Sequence, residues 1–352
     1  MTGTAEPAGP GPLSPAVRAA LTHLRLCGTR ADGTPDIRLE GLRVPGDTVR
    51  EVRQALAAAL YERWHAGTAR EPDAPVLPPR RDHAFEARLF GATPHAHTLA
   101  EAVVRTPPAP GGGRLTAELG RVRVSLPPDA VRGGPGGGPP GAGARVVVEL
   151  PAVRPTLSPG FWLVDGADGR PADGAGRELL RMYVHLRYAD AAPRVWGVLL
   201  AELAARSVPY RAKVLSRPWA YPRRDALVVY LDADRADAVF PLAAAVRRLP
   251  GVGADTSVFA RRLIPGVAVA WEPRDARPGR HGQSFGQHRA AAVAEGVVRH
   301  AADRERTDLA REVAASLHRA GADPAEPARN HSSPGLPTSA LLTSRQASRP
   351  LP

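Results

Sequence analysis

A strand–helix–strand pattern between residues 181 and 215 constrains the fold more than any other stretch. In residues 181–187 every second side chain is apolar, which predicts a strand with one buried face and one polar face. Helical spacing follows in residues 195–203, and alternation returns in residues 210–215. Strands joined by a crossover helix often pair side by side in parallel. We therefore expect the polar faces of these two strands to border one cleft.

The second strand carries Lys213, the only lysine among 352 residues, whereas the other 46 basic residues counted with it are arginines. Arginine stays protonated at any workable pH, but a lysine amine can lose its proton when burial or neighbouring charge lowers its pKa. The single lysine therefore indicates a role that arginine cannot fill. The alternative is chance survival on a solvated surface.

His185 lies on the polar face of the first strand, so the expected pairing would bring it into the same cleft as Lys213. A lone histidine in a strand is otherwise a satisfied structural residue. Its position opposite the only lysine, among arginines, favours a functional role.

Charge and cysteine content narrow the classes of protein and partner. The formal charge is +12 and the pI about 10.9, which favours anionic partners. The arginines are spread along the whole chain without interleaved aromatic residues, so a nucleic-acid partner is not favoured. Cys27 is the only cysteine, which excludes an internal disulfide framework. We see no signal peptide and no membrane-spanning run, so we expect a cytoplasmic protein.

The predicted fold class is α+β, with a mixed β-sheet and flanking helices in the C-terminal domain. Residues 13–150 are expected to form a smaller α+β region for precursor or partner binding, with helices at 14–27 and 46–65. The main domain is placed at residues 151–322. Composition predicts disorder in residues 1–12 and in a Pro/Ser/Arg-rich tail at 323–352.

A long helix is expected to begin after Ser284 and to continue to about residue 320. Ser284 and Gln287 have the spacing of a capping box. His288 and Arg289 fall in its first turn, where a helix N-terminus beside an arginine suits a phosphate or carboxylate. They are equally consistent with ordinary solvated residues. Residues 274–283, just before the helix, form a polar Gly/Arg loop that could cover a site.

Six segments in register carry a family resemblance between residues 155 and 300. They are SPGFWL at 158–163, RMYVHL at 181–186, VPYRAKVL at 208–215, YPRRDALVVYL at 221–231, LIPG at 263–266 and SFGQHR at 284–289. Together they resemble the HopA-like family. It is named for a bacterial type III effector and also occurs in gene clusters for ribosomally made, modified peptides.

In the peptide-producing members, the resemblance implies the lyase of a class V lanthipeptide or thioamitide pathway. A kinase phosphorylates Ser or Thr of a precursor peptide, and the lyase eliminates the phosphate to leave dehydroalanine or dehydrobutyrine. A cyclase then closes thioether rings with cysteine. More distantly, a histidine followed by a lysine in the next strand is similar to effector phosphothreonine lyases. Those enzymes carry a second lysine where this chain has Tyr183.

The resemblance implies roles for particular residues in β-elimination, which needs a base, an acid and cations that hold the phosphate. Lys213 is the predicted base and His185, which titrates in the right range, the predicted acid. Tyr230 is a candidate hydrogen-bonding residue of the cleft, or alternatively a core tyrosine. The predicted phosphate-binding residues are Arg223 first, then Arg181, Arg187, Arg211, Arg262, Arg289 and His288. This chemistry requires no metal and no organic cofactor.

Two other functions remain open. The chain could be a non-catalytic subunit that binds a peptide or phosphopeptide and presents it to the kinase or cyclase. Such a binder should tolerate arginine at position 213, whereas a base should not. A basic nucleic-acid binder is the third possibility, and it would show a steep salt dependence without preference for phosphopeptides.

Overall fold

The computed structural model describes residues 11–68, 81–109, 112–132, 140–171, 177–275, 277–280 and 282–338. Most of the predicted N-terminal disorder and residues 339–352 of the predicted tail lie outside these ranges. The described residues form an α+β protein, which confirms the predicted fold class. None of the helices among them is long and apolar enough to cross a membrane.

The helices are α1 (Pro15–Leu21), α2 (Val49–Leu60), α3 (His83–Gly91), α4 (Ala192–Ala204), α5 (Val239–Val246), α6 (Phe285–Ala302) and α7 (Leu309–Arg319), with a π-helix at Tyr61–Ala66. The strands are β1 (Leu24–Thr29), β2 (Pro35–Leu39), β3 (Leu42–Arg43), β4 (His97–Thr106), β5 (Leu115–Leu119), β6 (Val122–Leu126), β7 (Val131–Arg132), β8 (Arg145–Pro151), β9 (Phe161–Asp165), β10 (Leu179–Leu186), β11 (Arg211–Leu215), β12 (Arg223–Asp232), β13 (Arg261–Ile264) and β14 (Val267–Trp271). The predicted helix at 14–27 thus ends at Leu21, because the alternating burial of a strand begins at Leu24.

The central sheet has the strand order β13-β14-β10-β12-β11-β9, and every pairing is antiparallel. The prediction that β10 and β11 pair side by side is therefore wrong, because β12 lies between them. β12 is buried along most of its ten residues. A strand with such a long apolar run is stabilised by a partner on each edge, so it takes the centre of the sheet.

The register of these three strands sets the positions of the polar side chains. Arg181, Tyr230 and Arg211 lie in one row across the sheet. The next row contains Tyr183 of β10 and Lys213 of β11, on either side of Val228. Lys213 is therefore level with Tyr183. His185 lies farther along β10, beside an irregularity in the pairing with β12.

The N-terminal residues contribute to two separate cores. Helices α1, α2 and α3 bury side chains in the same core as the central sheet, and α2 packs against α6. The five-stranded sheet with order β6-β5-β4-β8-β7 instead has a small core of its own. Only this sheet is a distinct unit within the predicted 13–150 region.

In the C-terminal part, two boundaries differ from those predicted from the sequence. The capping box at Ser284 and Gln287 is present, but the predicted long helix is divided into α6 and α7. Residues 323–338, predicted as disordered tail, instead pack on the domain: the Trp271 amide donates to the Ala328 carbonyl at 2.9 Å, and Asn330 is buried. Composition alone missed this packing because the backbone carbonyls of the segment bind a buried arginine of α6.

Candidate active site

An open cleft lies on the polar face of the central sheet, and we call it the Lys213 cleft. Its two adjoining halves have volumes of about 600 Å³ and about 450 Å³. Both are lined by Arg181, Lys213, Tyr230 and Glu272. The larger half adds Pro273, Arg274, Asp275, Arg280, Gly282, Gln283, Ser284 and Gln287. The smaller half adds Leu157, Ser158, Leu163, Arg170, Pro171, Arg177, Leu179, Arg211 and Asp232.

Lys213 lies at the junction of the two halves between aromatic rings. Its Nζ is 4.2 Å from the centroid of the Phe161 ring and 6.0 Å from that of Tyr230. Aromatic faces attract a cation but do not neutralise it as a carboxylate would. Within the described part of the chain, no carboxylate forms an ion pair with this amine.

Arginines of the cleft are held by carboxylates. Arg181 is buried, stacks on the Tyr230 ring at 5.1 Å and donates two hydrogen bonds to Glu272. Arg211 binds both oxygens of the buried Asp165, at 2.7 and 3.1 Å. Planar guanidinium groups held this way are oriented donors for a phosphate or carboxylate ligand. The cleft therefore suits an anionic ligand.

The loop over the larger half is anchored by Asp275. Arg277 donates to both of its oxygens, at 2.9 and 2.7 Å, and His288 donates from Nε2 at 3.0 Å. Arg289 in turn donates to His288 Nδ1 at 2.7 Å, which assigns a neutral imidazole. Burial, together with the Arg289 charge, lowers the pKa of His288 to about 4. Arg277 and His288 outweigh the effect of burial and hold the pKa of Asp275 well below its usual value.

His288 and Arg289 are consequently neither solvated nor among the residues that line the cleft. Arg289 is fully buried and also donates to the carbonyls of Pro327 and Arg329 and to the Asn330 side chain. Burial lowers its pKa to about 9, which leaves it charged at neutral pH. Its role in the structure is to fix the C-terminal segment to α6.

A second polar cluster lies on the same sheet, and we call it the Asp225 cluster; its members are Tyr61, His65, Arg223, Asp225 and Ser257. Arg223 donates to both oxygens of Asp225, at 2.7 and 2.8 Å, and to the Tyr61 hydroxyl at 2.8 Å. His65 Nδ1 is 2.8 Å from Ser257 Oγ, and its Nε2 is 3.7 Å from Asp225. Arg223, the first predicted phosphate ligand, is therefore engaged here and does not line the cleft.

Burial and the Arg223 charge set the titration of this cluster. Burial lowers the pKa of His65 to about 4, although the Asp225 charge acts in the opposite direction. Burial would raise the pKa of Asp225, but the Arg223 guanidinium overcomes it and lowers that pKa to about 2. At neutral pH the cluster therefore contains a charged Arg223–Asp225 pair and a neutral His65.

His185 is buried beside Gly253, outside the set of residues that line the cleft. A Cβ on Gly253 would overlap its ring, and the backbone groups of His185 bond Gly266 and Gly253 at 2.8 and 3.0 Å. Burial lowers the pKa of its imidazole, with Asp255 acting in the opposite direction. Nδ1 has no hydrogen-bond partner among the described residues.

The structure thus brings together Lys213, Tyr230, Arg181 and Arg211 of the ten predicted site residues. Arg187 and Arg262 are exposed and do not line the cleft. Sequence reasoning missed Glu272, which directly follows β14, and the cleft-lining role of Asp275. The polar loop predicted at 274–283 was the available signal, because its residues form a wall of the larger half.

Comparisons with known proteins identify a family. The model of the HopA1 effector protein family matches residues 152–329, which is half of the chain. Two solved effector proteins are similar, one from Pseudomonas syringae pv. tomato strain DC3000 (17% identity, TM-score 0.38) and one from P. syringae pv. syringae strain 61 (15% identity, TM-score 0.37). Each similarity covers 48% of this chain and 62% of the effector.

Comparison with curated proteins gives no match. The family match nevertheless spans the whole central sheet, α6, α7 and the residues that line the Lys213 cleft. The chain therefore belongs to the HopA1 effector protein family.

Proposed function

We propose that the Lys213 cleft binds a phosphorylated serine or threonine of a peptide and eliminates its phosphate to leave dehydroalanine or dehydrobutyrine. One observation carries the proposal: the only lysine of the chain lies on the floor of the cleft, without a carboxylate partner among the described residues, beside arginines oriented for an anion.

The proposed elimination proceeds in one balanced sequence. The Lys213 amine acts as the base and takes the α proton of the phosphorylated residue, and the electrons of the C–H bond form the double bond. The bond between Cβ and the bridging oxygen breaks, and that oxygen accepts a proton as phosphate departs. Proton transfer of this kind needs a base and an acid within hydrogen-bond reach of the substrate.

Tyr230 is the better-placed acid. It lines both halves of the cleft, and its ring lies beside Lys213 and against the Arg181 guanidinium. A tyrosine hydroxyl can donate its proton to the leaving oxygen and recover it from the protonated lysine. His185, the acid implied by the family resemblance, lies outside the cleft lining, so we assign it no direct contact with the substrate.

Arg181 and Arg211 are the proposed phosphate ligands, because both lie in the row of side chains next to Lys213. Oriented guanidinium groups stabilise the charge that grows on the leaving phosphate. The proposed substrate is a precursor peptide phosphorylated by a separate kinase, and a cyclase would use the dehydrated product to build lanthipeptide-type rings. The N-terminal region is proposed to bind the precursor or one of these partners.

Mass spectrometry of a phosphothreonine peptide incubated with the full chain tests the proposal. We expect loss of the mass of phosphoric acid, followed by addition of a thiol to the new alkene. The exposed variant Arg262→Lys, which also adds a lysine, should retain activity. Tight binding without mass loss would instead identify a non-catalytic peptide-binding subunit.

A further inference from the structure

We propose that Glu272 is a tethered competitor for phosphate: its carboxylate occupies Arg181 in the empty cleft, leaves when a phosphate binds, and returns to expel the product phosphate. The inference rests on the proposed function in taking phosphate as the ligand. The contact between Arg181 and Glu272 is observed in the structure and does not depend on that function.

The Arg181–Glu272 pair has the geometry that a phosphate would adopt. Glu272 accepts from Nε and Nη2 of Arg181, which is the two-point contact that guanidinium groups make with phosphate oxygens. Arg181 is buried and lines both halves of the cleft. A phosphate that enters either half therefore meets this guanidinium with Glu272 already on it.

Glu272 differs from the other acids that hold arginines of the cleft. Its side chain is 33% exposed. The other three acids are less exposed: Asp165, which pairs with Arg211, is 2% exposed, Glu178, which pairs with Arg274, is 12% exposed, and Glu295, which pairs with Arg280, is 14% exposed. Asp275 also lines the cleft, but its carboxylate is held by Arg277 and His288. Of these four paired acids, Glu272 is the most exposed, and its side chain lines both halves of the cleft into which it would rotate.

The backbone of Glu272 is fixed on both sides. Its amide donates to the Leu179 carbonyl at 2.8 Å, and its carbonyl accepts from the Asn330 side chain at 2.7 Å. Exchange therefore requires rotation of one side chain and no movement of the sheet. A carboxylate tethered this close to Arg181 competes at a high effective concentration.

The exchange has consequences for both binding and turnover. Only the fraction of molecules with a free Arg181 can bind phosphate, so the apparent affinity falls by that fraction. After elimination the same competition favours departure of inorganic phosphate. Glu272 therefore weakens product inhibition, and it contributes nothing to the bond-breaking step itself.

Titration calorimetry of inorganic phosphate against the full chain tests the exchange without depending on elimination. We expect Glu272→Gln to lower the Kd about tenfold, because a neutral amide is a weaker partner for Arg181 than a carboxylate. The matched control is Glu326→Gln, which removes the same charge from an ion pair with Arg261 outside the cleft lining. This control should bind phosphate like the wild type.

A kinetic experiment distinguishes failure of the competitor role of Glu272 from failure of the proposed elimination. With the phosphothreonine peptide, Glu272→Gln should lower the steady-state rate and show stronger inhibition by added phosphate. Equal phosphate affinity in wild type and Glu272→Gln, or an equal gain in Glu326→Gln, overturns the competitor role even if elimination is observed. Tighter phosphate binding by Glu272→Gln alone supports it, even in a protein that eliminates nothing.

Discussion

The Lys213 cleft and the Asp225 cluster use similar residues on one sheet but differ in the partners that surround those residues. Each contains an arginine in a two-point contact with a carboxylate and a tyrosine ring close to that guanidinium. The cleft is open and contains Lys213. The cluster lies beneath the π-helix Tyr61–Ala66, which supplies Tyr61 and His65.

The partners of each arginine distinguish the proposed active site from the Asp225 cluster. In the Asp225 cluster, Arg223 donates to Asp225 and to the Tyr61 hydroxyl, and it does not line the cleft. In the cleft, the acid paired with Arg181 is one-third exposed, and the neighbouring amine lacks an acid among the described residues. We therefore expect changes in the cleft to alter chemistry and changes in the cluster to alter stability.

The largest expected effect is the loss of elimination in Lys213→Arg. Arginine keeps the charge but does not act as a base, so the rate should fall by about 10²- to 10⁴-fold. Phosphopeptide affinity and the free energy of unfolding should stay near the wild-type values, measured by titration and urea denaturation. Full activity in this variant would remove Lys213 from the reaction.

Asp225→Ala should lower the free energy of unfolding and leave the elimination rate nearly unchanged. It leaves Arg223 buried without its acid, which typically costs about 3–5 kcal/mol of unfolding free energy. Urea denaturation measures this loss, and elimination by the folded fraction should stay within a few-fold of wild type. A variant with normal stability and no elimination would place the Asp225 cluster in the reaction and end the contrast between the two regions.

The buried histidine of the cluster predicts how stability depends on pH. The pKa of His65 is about 4 in the folded protein against a usual value of 6.5, so the unfolded chain binds its proton first. Its contribution is complete above about pH 6.5 and is lost as the pH falls towards 4, amounting to at most about 3 kcal/mol.

Urea denaturation between pH 7.5 and pH 4.5 measures that loss. His65→Gln should reduce the pH dependence without abolishing it, because His288 titrates in the same window with a pKa of about 4. The low pKa of Asp225, about 2, places its own contribution at more acidic pH. An unchanged pH dependence in His65→Gln would show that this imidazole is not held neutral.

The smallest expected effect is that of His185→Ala, which replaces one of the two candidate acids. His185→Ala should change the elimination rate by less than about threefold, whereas Tyr230→Phe should lower it by about 10²-fold if its hydroxyl is the acid. Rates of alkene formation at saturating phosphopeptide distinguish them. A large loss in His185→Ala with normal stability, and none in Tyr230→Phe, would reverse the assignment.

Local patterns predicted much of this protein. Alternation placed Arg181 and His185 on one face of β10 and Lys213 on the corresponding face of β11, and the Ser284–Gln287 spacing located the start of α6. The single lysine identified the cleft before any strand order was known. These features could be predicted because each depends on residues close together in the chain.

The site could not be completed from the same information. From the sequence Arg223 ranks first among the phosphate ligands, ahead of Arg181. In the structure the Tyr61 hydroxyl and Asp225 bind Arg223, and of the two arginines only Arg181 lines the cleft. From the sequence, His288 and Arg289 fit either an anion site or solvated first-turn residues, because no local pattern shows that residues 327–330 return to bury Arg289. Glu272 is a functional candidate only once β14 and β10 are known to be neighbours.

The sequence by itself determined the α+β class, the polar faces of the strands and the identity of the one exceptional amine, because these follow from side-chain periodicity and chemistry. Tertiary structure alone decided that β12 separates β10 from β11, that Tyr183 and not His185 is level with Lys213, and that Arg181 lines the cleft whereas Arg223 does not. Strand order, register and the lining of the cleft result from contacts between distant segments, and no local pattern encodes which of those contacts form.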